Sequence, residues 1–437
     1  MMKKTVSLLL VAALILSVFA GCGEKTPQPT ETQMPTDPPT EPALQVELEL
    51  PGDERPYLGV ELQALLLLSA DDPRAEVVQQ ASQVFEMRTG AKVKITWLHG
   101  DENLMAANLT GGGNVDIFAA SSDSLQQLFL PYTMDLSQLA LEADYADHSH
   151  YVLREQIISQ CGYLAAIPQE PLLYGLYYNA DAFRDAGVTD LPESWEDFLA
   201  LSGRLTSAGY MPLTIDSENA HLILELFLER HLGAQQFQTM LAQALWTSTT
   251  EYIEMFRKPI DYAAAGYLAK GDPAAFPGGQ DKIALSNVAM VAGSTELCAQ
   301  VERSTMMNVN WGVMAFPGDG PGTGCGAESR VLAVHKDSAN ARAAFDFIML
   351  LTTGEYDRLY AEVVEGIPAD PANECTIQGA KELLNRADIR GMGLLNPQDN
   401  ELFTRLWNGW YKTPSYFASA MNGLSAAYKI AANPGVG

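Results

Sequence analysis

The 437-residue chain sets 54 Asp and Glu against 27 Lys and Arg, for a formal charge of −27. So acidic a chain is excluded from nucleic-acid binding that tracks phosphates with basic side chains, and its charge reads most directly as solubility and self-repulsion. Its length exceeds what a single core usually holds, so two domains or lobes are expected.

The first element is an export signal. Met1-Met2-Lys3-Lys4 precedes an apolar run from Val6 to Ala20 broken only by Ser7 and Ser17. A short positive segment, an apolar core and small residues, in that order, make a secretory signal peptide over residues 1–21. The apolar core is shorter than the roughly 20 residues that a bilayer span needs. Its end, Val18-Phe19-Ala20-Gly21-Cys22, resembles the lipobox of bacterial lipoproteins. That resemblance implies that Cys22 becomes the N-terminus and carries acyl chains, palmitate among them, several of which anchor stably where one is marginal. The protein is then expected to be lipid-anchored on the extracellular face of a cell membrane. The alternative is a cysteine that merely follows an ordinary signal peptide. Loss of Lys3 and Lys4 with the leader takes the formal charge to −29.

Residues 22–56 are rich in Pro, Thr and Glu, as in Thr26-Pro27-Gln28-Pro29-Thr30 and Pro35-Thr36-Asp37-Pro38-Pro39-Thr40. Too few apolar side chains are present to offset the entropy of ordering them, so this segment reads as a disordered tether. In extended polyproline II it reaches on the order of 100 Å.

The folded part opens with a mostly apolar stretch, Val60 to Ser69, that predicts a buried strand. Asp72-Pro73 follows as N-cap and first helical residue, and Ala75, Val77, Val78, Ala81, Val84 and Phe85 recur at helical spacing up to Gly90. Val93 to Trp97 alternates as a strand, a second helix precedes Gly111-Gly112-Gly113, and Val115 to Ala119 predicts the next strand. Strands alternating with helices imply a parallel sheet with helices on its faces, and ligands on such sheets lie beyond the carboxyl ends of the strands. That places Asp71, the region after Trp97, and the loop Ala120 to Ser124 at a ligand-side rim. In Pro192-Glu193-Ser194-Trp195-Glu196-Asp197-Phe198, Ser194 caps a helix with Asp197 in the capping-box position, and Trp195 is expected in the core. Tyr177 and Tyr178 alternate on a strand, which sends one to the core and the other toward a hinge. Cys161, Cys298, Cys325 and Cys375 allow three disulfide pairings but fit buried thiols equally, and their spacing carries no zinc pattern.

Taken in order, Gly162-Tyr163-Leu164-Ala165-Ala166-Ile167-Pro168, Leu176-Tyr177-Tyr178-Asn179, Phe183, Ala186-Gly187 and Pro192 to Phe198 resemble the extracellular solute-binding proteins, family 1. These are maltose-binding-protein-like receptors that deliver sugars to ABC importers. Ala289 to Gly293, Trp311 to Pro317, Val331 to Lys336, Ala341 to Gly354 and Gly366-Ile367-Pro368 extend the resemblance in the right order over roughly residues 60 to 430. It implies an α/β fold of the two-lobed, type II periplasmic-binding-protein kind, each lobe a sheet flanked by helices. The lobes would comprise 57–169 with 330–370, and 170–329 with 371–437. A hinge would cross near Gln169 to Leu172, Gly326 to Arg330 and Asp370, and cleft closure on the ligand would be the form a transporter recognises.

Sugars are held by aromatic faces and by planar polar side chains that bond paired hydroxyls. After the Val115 strand the family's loop supplies an aromatic and an acidic contact. Here the aromatic place reads Ala120 or Ser121, so Asp123 carries over, against a solvated loop acid. Asp71 is a candidate hydroxyl acceptor beside a helix cap. Asn219 or His221 stands where the family puts a stacking aromatic, and Glu296 follows Gly293 where it often puts a Trp, as hydroxyl ligand or helix cap. Trp246 and Trp407 are freer aromatics for stacking, although Trp407 and Trp410 are spaced as one packed helix face. Arg330, at an expected crossing, either reaches the cleft or makes a structural ion pair.

The resemblance implies binding without turnover, with no catalytic residue and no cofactor. The sequence holds no H-E-x-x-H, G-x-S-x-G or P-loop, and His148-Ser149-His150 supplies too few ligands for a metal. The main alternatives are a secreted carbohydrate-active hydrolase with two carboxylates across a cleft, and a surface sensor or adhesin using the same fold. The expected partners of a monomer are a small-molecule ligand, an ABC permease and the membrane, with no nucleic acid.

Overall fold

The computed structural model describes residues 55–215, 220–243, 250–269 and 277–387. The leader, Cys22, most of the tether, Asn219, Trp246, Trp407 and Trp410 lie outside the described residues, as does the side chain of His221. The chain divides after Leu50, and Pro51–Gly437 forms a compact unit of its own.

That unit begins β1 (Glu61–Leu66), α1 (Pro73–Thr89), β2 (Lys92–Trp97), α2 (Glu102–Thr110), β3 (Ile117–Ser121), α3 (Ser122–Ser124), α4 (Ser137–Glu142) and α5 (Tyr151–Cys161). It continues β4 (Ile167–Asn179), α6 (Ala180–Asp185), α7 (Trp195–Ser207), β5 (Met211–Thr214), α8 (Ala220–Leu232), α9 (Ala234–Gln243), α10 (Thr250–Ala264) and α11 (Lys282–Leu285). It closes with β6 (Val288–Gly293), α12 (Glu296–Thr305), β7 (Trp311–Met314), β8 (Gly326–Val334), α13 (Ala341–Thr352), α14 (Gly354–Val363) and α15 (Ala380–Leu384). Among the described residues no helix is long and apolar enough to cross a membrane.

Local chemistry sets the helix ends. Asp72 caps α1 by accepting from Arg74 N, Pro73 occupies the first turn where its missing N–H is no loss, and Gly90 at φ 82 ends the helix in the left-handed region. Between those stops Ala75, Val77, Val78, Ala81 and Phe85 are buried, and each Val or Phe so buried contributes roughly 1.5–3 kcal/mol. Ser194 and Asp197 form the full capping box of α7, and Trp195 packs with Phe198 and Phe227 in a core.

β1 lies between β2 and β3, parallel to both, as the alternation of strands and helices predicts. The strand after α2 runs further than Ala119, because antiparallel pairing with β8 continues from Ile117↔Val334 to Ser121↔Arg330. Ala120 and Ser121 are therefore strand residues and not loop, a correction to the expected rim. The sheet order is β2-β1-β3-β8-β4-β6-β5, with β7 also paired to β4. The long strand β4 pairs β8 from Ile167 to Tyr174 and then β6 and β7 from Gly175 to Asn179. It thereby passes from one apolar core, holding Ile167, to two others holding Leu173 and Leu176. Both Tyr177 and Tyr178 are buried, in different cores, so neither turns toward a hinge. β4 is flanked by β6 and β7 at this point and packed on both faces, which leaves no open side. None of Cys161, Cys298, Cys325 and Cys375 is joined in a disulfide.

Candidate functional site

Five charged side chains meet where β4 and β8 leave the first core. Asp72, at the start of α1, accepts Arg74 Nε at 2.9 Å and Arg74 Nη2 at 2.6 Å, a bidentate fork. Arg74 Nη1 reaches on to Glu170 Oε2 at 3.0 Å. Glu170 on β4 also accepts Arg330 Nη1 at 2.9 Å and the Tyr360 hydroxyl at 3.2 Å. Arg330 Nη2 then donates to Glu296 Oε1 at 2.6 Å, at the first residue of α12. Glu170 is only 5 % exposed, and three donors, from Arg74, Arg330 and Tyr360, satisfy its buried carboxylate. Burial alone would lower both guanidinium pKa values. Asp72 and Glu170 reverse this for Arg74, and Glu170 and Glu296 for Arg330, so both stay above the ordinary arginine value.

This chain of charges stands between two cavities. One, of about 340 Å³, lies at the carboxyl ends of β1 and β3 and is lined by Leu66 to Leu68, Arg74, Gly100, Glu102, Ala119 to Ser121, Gln169, Arg330 and Tyr360. The other, of about 290 Å³, is lined by Asp72, Arg74, Glu170, Thr295, Glu296, Gln300, Arg303, Val363, Val364 and Gly366, among others. Both are close to the lower end of the size range of small-molecule sites. Their polar walls are guanidinium forks, carboxylates, the amides of Gln169 and Gln300 and the hydroxyls of Ser121, Thr295 and Tyr360, groups that bond paired hydroxyls. Tyr360 is the aromatic among the described residues lining these two cavities, and it is buried.

A second acidic group adjoins the first cavity. Ser121 caps the turn after β3 by accepting Ser124 N at 3.0 Å, and Ser124 Oγ donates to Glu102 Oε1 at 2.5 Å. Burial pushes the Asp123 carboxyl up. Burial also raises Glu328 on β8, helped by the charges of Asp123 and Glu296 and opposed by a hydrogen bond from the Tyr174 hydroxyl.

The structure brings Ser121, Glu296 and Arg330 to the cavity walls, and Asp123 lies in the short helix that Ser121 caps without lining either cavity. Asp71 is exposed, its carboxyl held low by a hydrogen bond from Ser69, and lines neither cavity. Arg74 and Glu102 were not singled out from sequence, Asp72 was read only as a helix cap, and Gln169 and Glu170 only as part of an expected crossing. Two signals mark them: Glu170 is a carboxylate inside the apolar strand run Ile167 to Leu173, and Arg74 is a cation in a helical first turn, where the dipole disfavours it. Among the described residues no three His, Cys, Asp or Glu side chains are grouped to hold a metal ion.

Residues 70–357 match the family model described as bacterial extracellular solute-binding protein. No curated protein matches the chain. Among solved structures, the apo form of RafE from Streptococcus pneumoniae is 17 % identical and superposes with a TM-score of 0.65 over 84 % of this chain and 97 % of its own. RafE in complex with raffinose is 17 % identical, with a TM-score of 0.59 over 84 % of this chain and 98 % of its own. Maltose-bound MalE3 of T. maritima is 14 % identical, with a TM-score of 0.58 over 85 % of this chain and 99 % of its own. The shared architecture is the two-lobed type II periplasmic-binding-protein fold.

Proposed function

We propose, for a chain that belongs to the bacterial extracellular solute-binding proteins, that it is a receptor for a mono- or oligosaccharide which it delivers to an ABC permease without chemical change. The observation that carries this reading is the polar wall itself: Arg74, Gln169, Glu170, Glu296 and Arg330 lie between two cavities where β4 and β8 run on from the first core. Planar, charge-fixed donors and acceptors of that kind recognise vicinal hydroxyls. That two of the similar structures hold raffinose and maltose supports a sugar as the class.

In this reading Glu170, Arg330, Glu296 and Ser121 contact the ligand, with Asp123 beside them, and Asn219, His221, Trp246 and Trp407 remain candidates. The lobes are 57–169 with 330–370 and 170–329 with 371–437, and they close on the solute about the β4–β8 crossing and the Asp370 segment. A lipid on Cys22 and the tether over 22–56 hold the receptor, as a monomer, at the outer face of the membrane.

A thermal-shift screen of the Pro51–Gly437 unit against mono- and oligosaccharides tests this. A ligand at 100 times its Kd adds about 2.7 kcal/mol of stability. A saturable shift from one sugar class, with the sugar recovered whole, is expected. Shifts only from non-sugar solutes would overturn the sugar assignment, and recovery of cleaved sugar would replace the receptor by a hydrolase.

A further inference from the structure

Resting on the receptor reading, we propose that Arg330 couples the cleft to the relative position of the lobes, with its ion pair to Glu296 as the one link of the charge chain that opens. Asp72 and Arg74 begin α1, whose Val77 and Val78 pack in the first core. Glu170 and Arg330 are register partners on β4 and β8, at the crossing about which the lobes turn, so the strand pairing itself keeps them together. Glu296 instead begins α12, whose Leu297, Cys298 and Val301 belong to a different core. Within the five-residue chain, the contact from Arg330 to Glu296 at 2.6 Å is the one that leads to α12.

The two ends of that chain respond differently to being pulled apart. Glu170 is buried, so stripping it of a guanidinium would leave a buried charge without its partner. Arg330 and Glu296 are 36 % and 38 % exposed, so water replaces their contact at little loss. Glu296 also sits in the first turn of a ten-residue helix, where the helix dipole continues to stabilise its carboxylate after release. Any motion that separates α12 from β8 therefore breaks this pair first and leaves the Asp72–Arg74–Glu170–Arg330 segment whole. Arg330 lines one cavity and Glu296 the other, so a solute entering either meets a member of the pair.

An exposed pair of this kind biases a two-state equilibrium by about two- to fivefold. Small-angle X-ray scattering of the Pro51–Gly437 unit, without added sugar, reads that bias. Wild type, Glu296→Gln and Arg330→Gln are compared at about 0.01 M and about 1 M NaCl, conditions that differ in screening length by about tenfold. The expected result is a radius of gyration that rises with salt in wild type, and one already raised and insensitive to salt in Glu296→Gln and in Arg330→Gln. Unchanged melting cooperativity of the two variants shows that both fold. Equal radii and equal salt responses in all three proteins overturn the coupling. Because no sugar is present, that outcome is separate from the sugar screen: either can fail while the other stands.

Discussion

Glu170 and Arg330 face each other across the β4–β8 register, 160 residues apart in sequence, and are joined at 2.9 Å. The carboxylate is buried while the guanidinium is a third exposed, so the pair fixes a charged group at a cavity wall from a concealed base. Glu170→Gln removes the charge that Arg74, Arg330 and Tyr360 all address. Loss of about 3 kcal/mol is expected in denaturant unfolding, at the lower end for a broken buried pair because Arg330 remains partly hydrated. A loss under about 0.5 kcal/mol would mean that the two arginines are held by other groups.

Asp357 on α14 holds the segment beyond Pro368 by accepting Ala369 N at 2.7 Å, Asp370 N at 3.0 Å and Asn373 Nδ2 at 2.8 Å. Burial, with the neighbouring Asp370 charge, outweighs those donors and raises its pKa from 3.8 to about 7. The folded chain thus binds this proton more tightly than the unfolded one. Its contribution to stability is full below the unfolded value and is lost as pH rises through about 7. The difference in melting temperature between wild type and Asp357→Asn should therefore change from about pH 4 to about pH 7, to the detriment of wild type, and level off above that. A constant difference over that range would show that Asp357 stays ionised throughout.

The glycine-rich stretch after Pro317 is a packed clamp rather than a phosphate loop. Arg230 Nη1 donates to Gly320 O at 2.9 Å, and the buried Glu229 carboxylate accepts Thr323 N at 2.8 Å and Gly324 N at 2.6 Å. A Cβ on Gly322 would lie 1.9 Å from the backbone oxygen of Glu229. Gly322→Ala is expected to cost about 3 kcal/mol, since backbone and not a flexible side chain must move. Gly113→Ala, in ordinary contact only, should stay within about 0.5 kcal/mol of wild type in the same unfolding assay.

Much of the fold was legible because its signals are local. The Asp72-Pro73 start and Gly90 stop of α1, the Ser194–Asp197 box of α7 and the alternation that makes β1, β2 and β3 parallel all lie within short windows. What stayed hidden depends on pairing between distant segments. The end of β3 at Ser121 is set by β8, and the burial of both Tyr177 and Tyr178 by β6 and β7 beside β4. The site divides the same way. Glu296 and Ser121 were reached through their places after strands, and Arg330 through its place at an expected crossing. Glu170 and Arg74 gain their meaning only from each other and from Arg330. Asp72 reads as a helix cap, and it also closes the charge chain, a second role that capping alone does not announce.

Calorimetric titration of a sugar selected by the thermal screen, into wild type and into Arg330→Gln, addresses the cleft most directly. One-site saturable binding in wild type, at least about tenfold weaker in the variant, is predicted, with the sugar intact afterwards; tenfold corresponds to about 1.4 kcal/mol. Equal affinity in both proteins would place the ligand away from the β4–β8 crossing. Sugar shortened during the titration would contradict a receptor altogether.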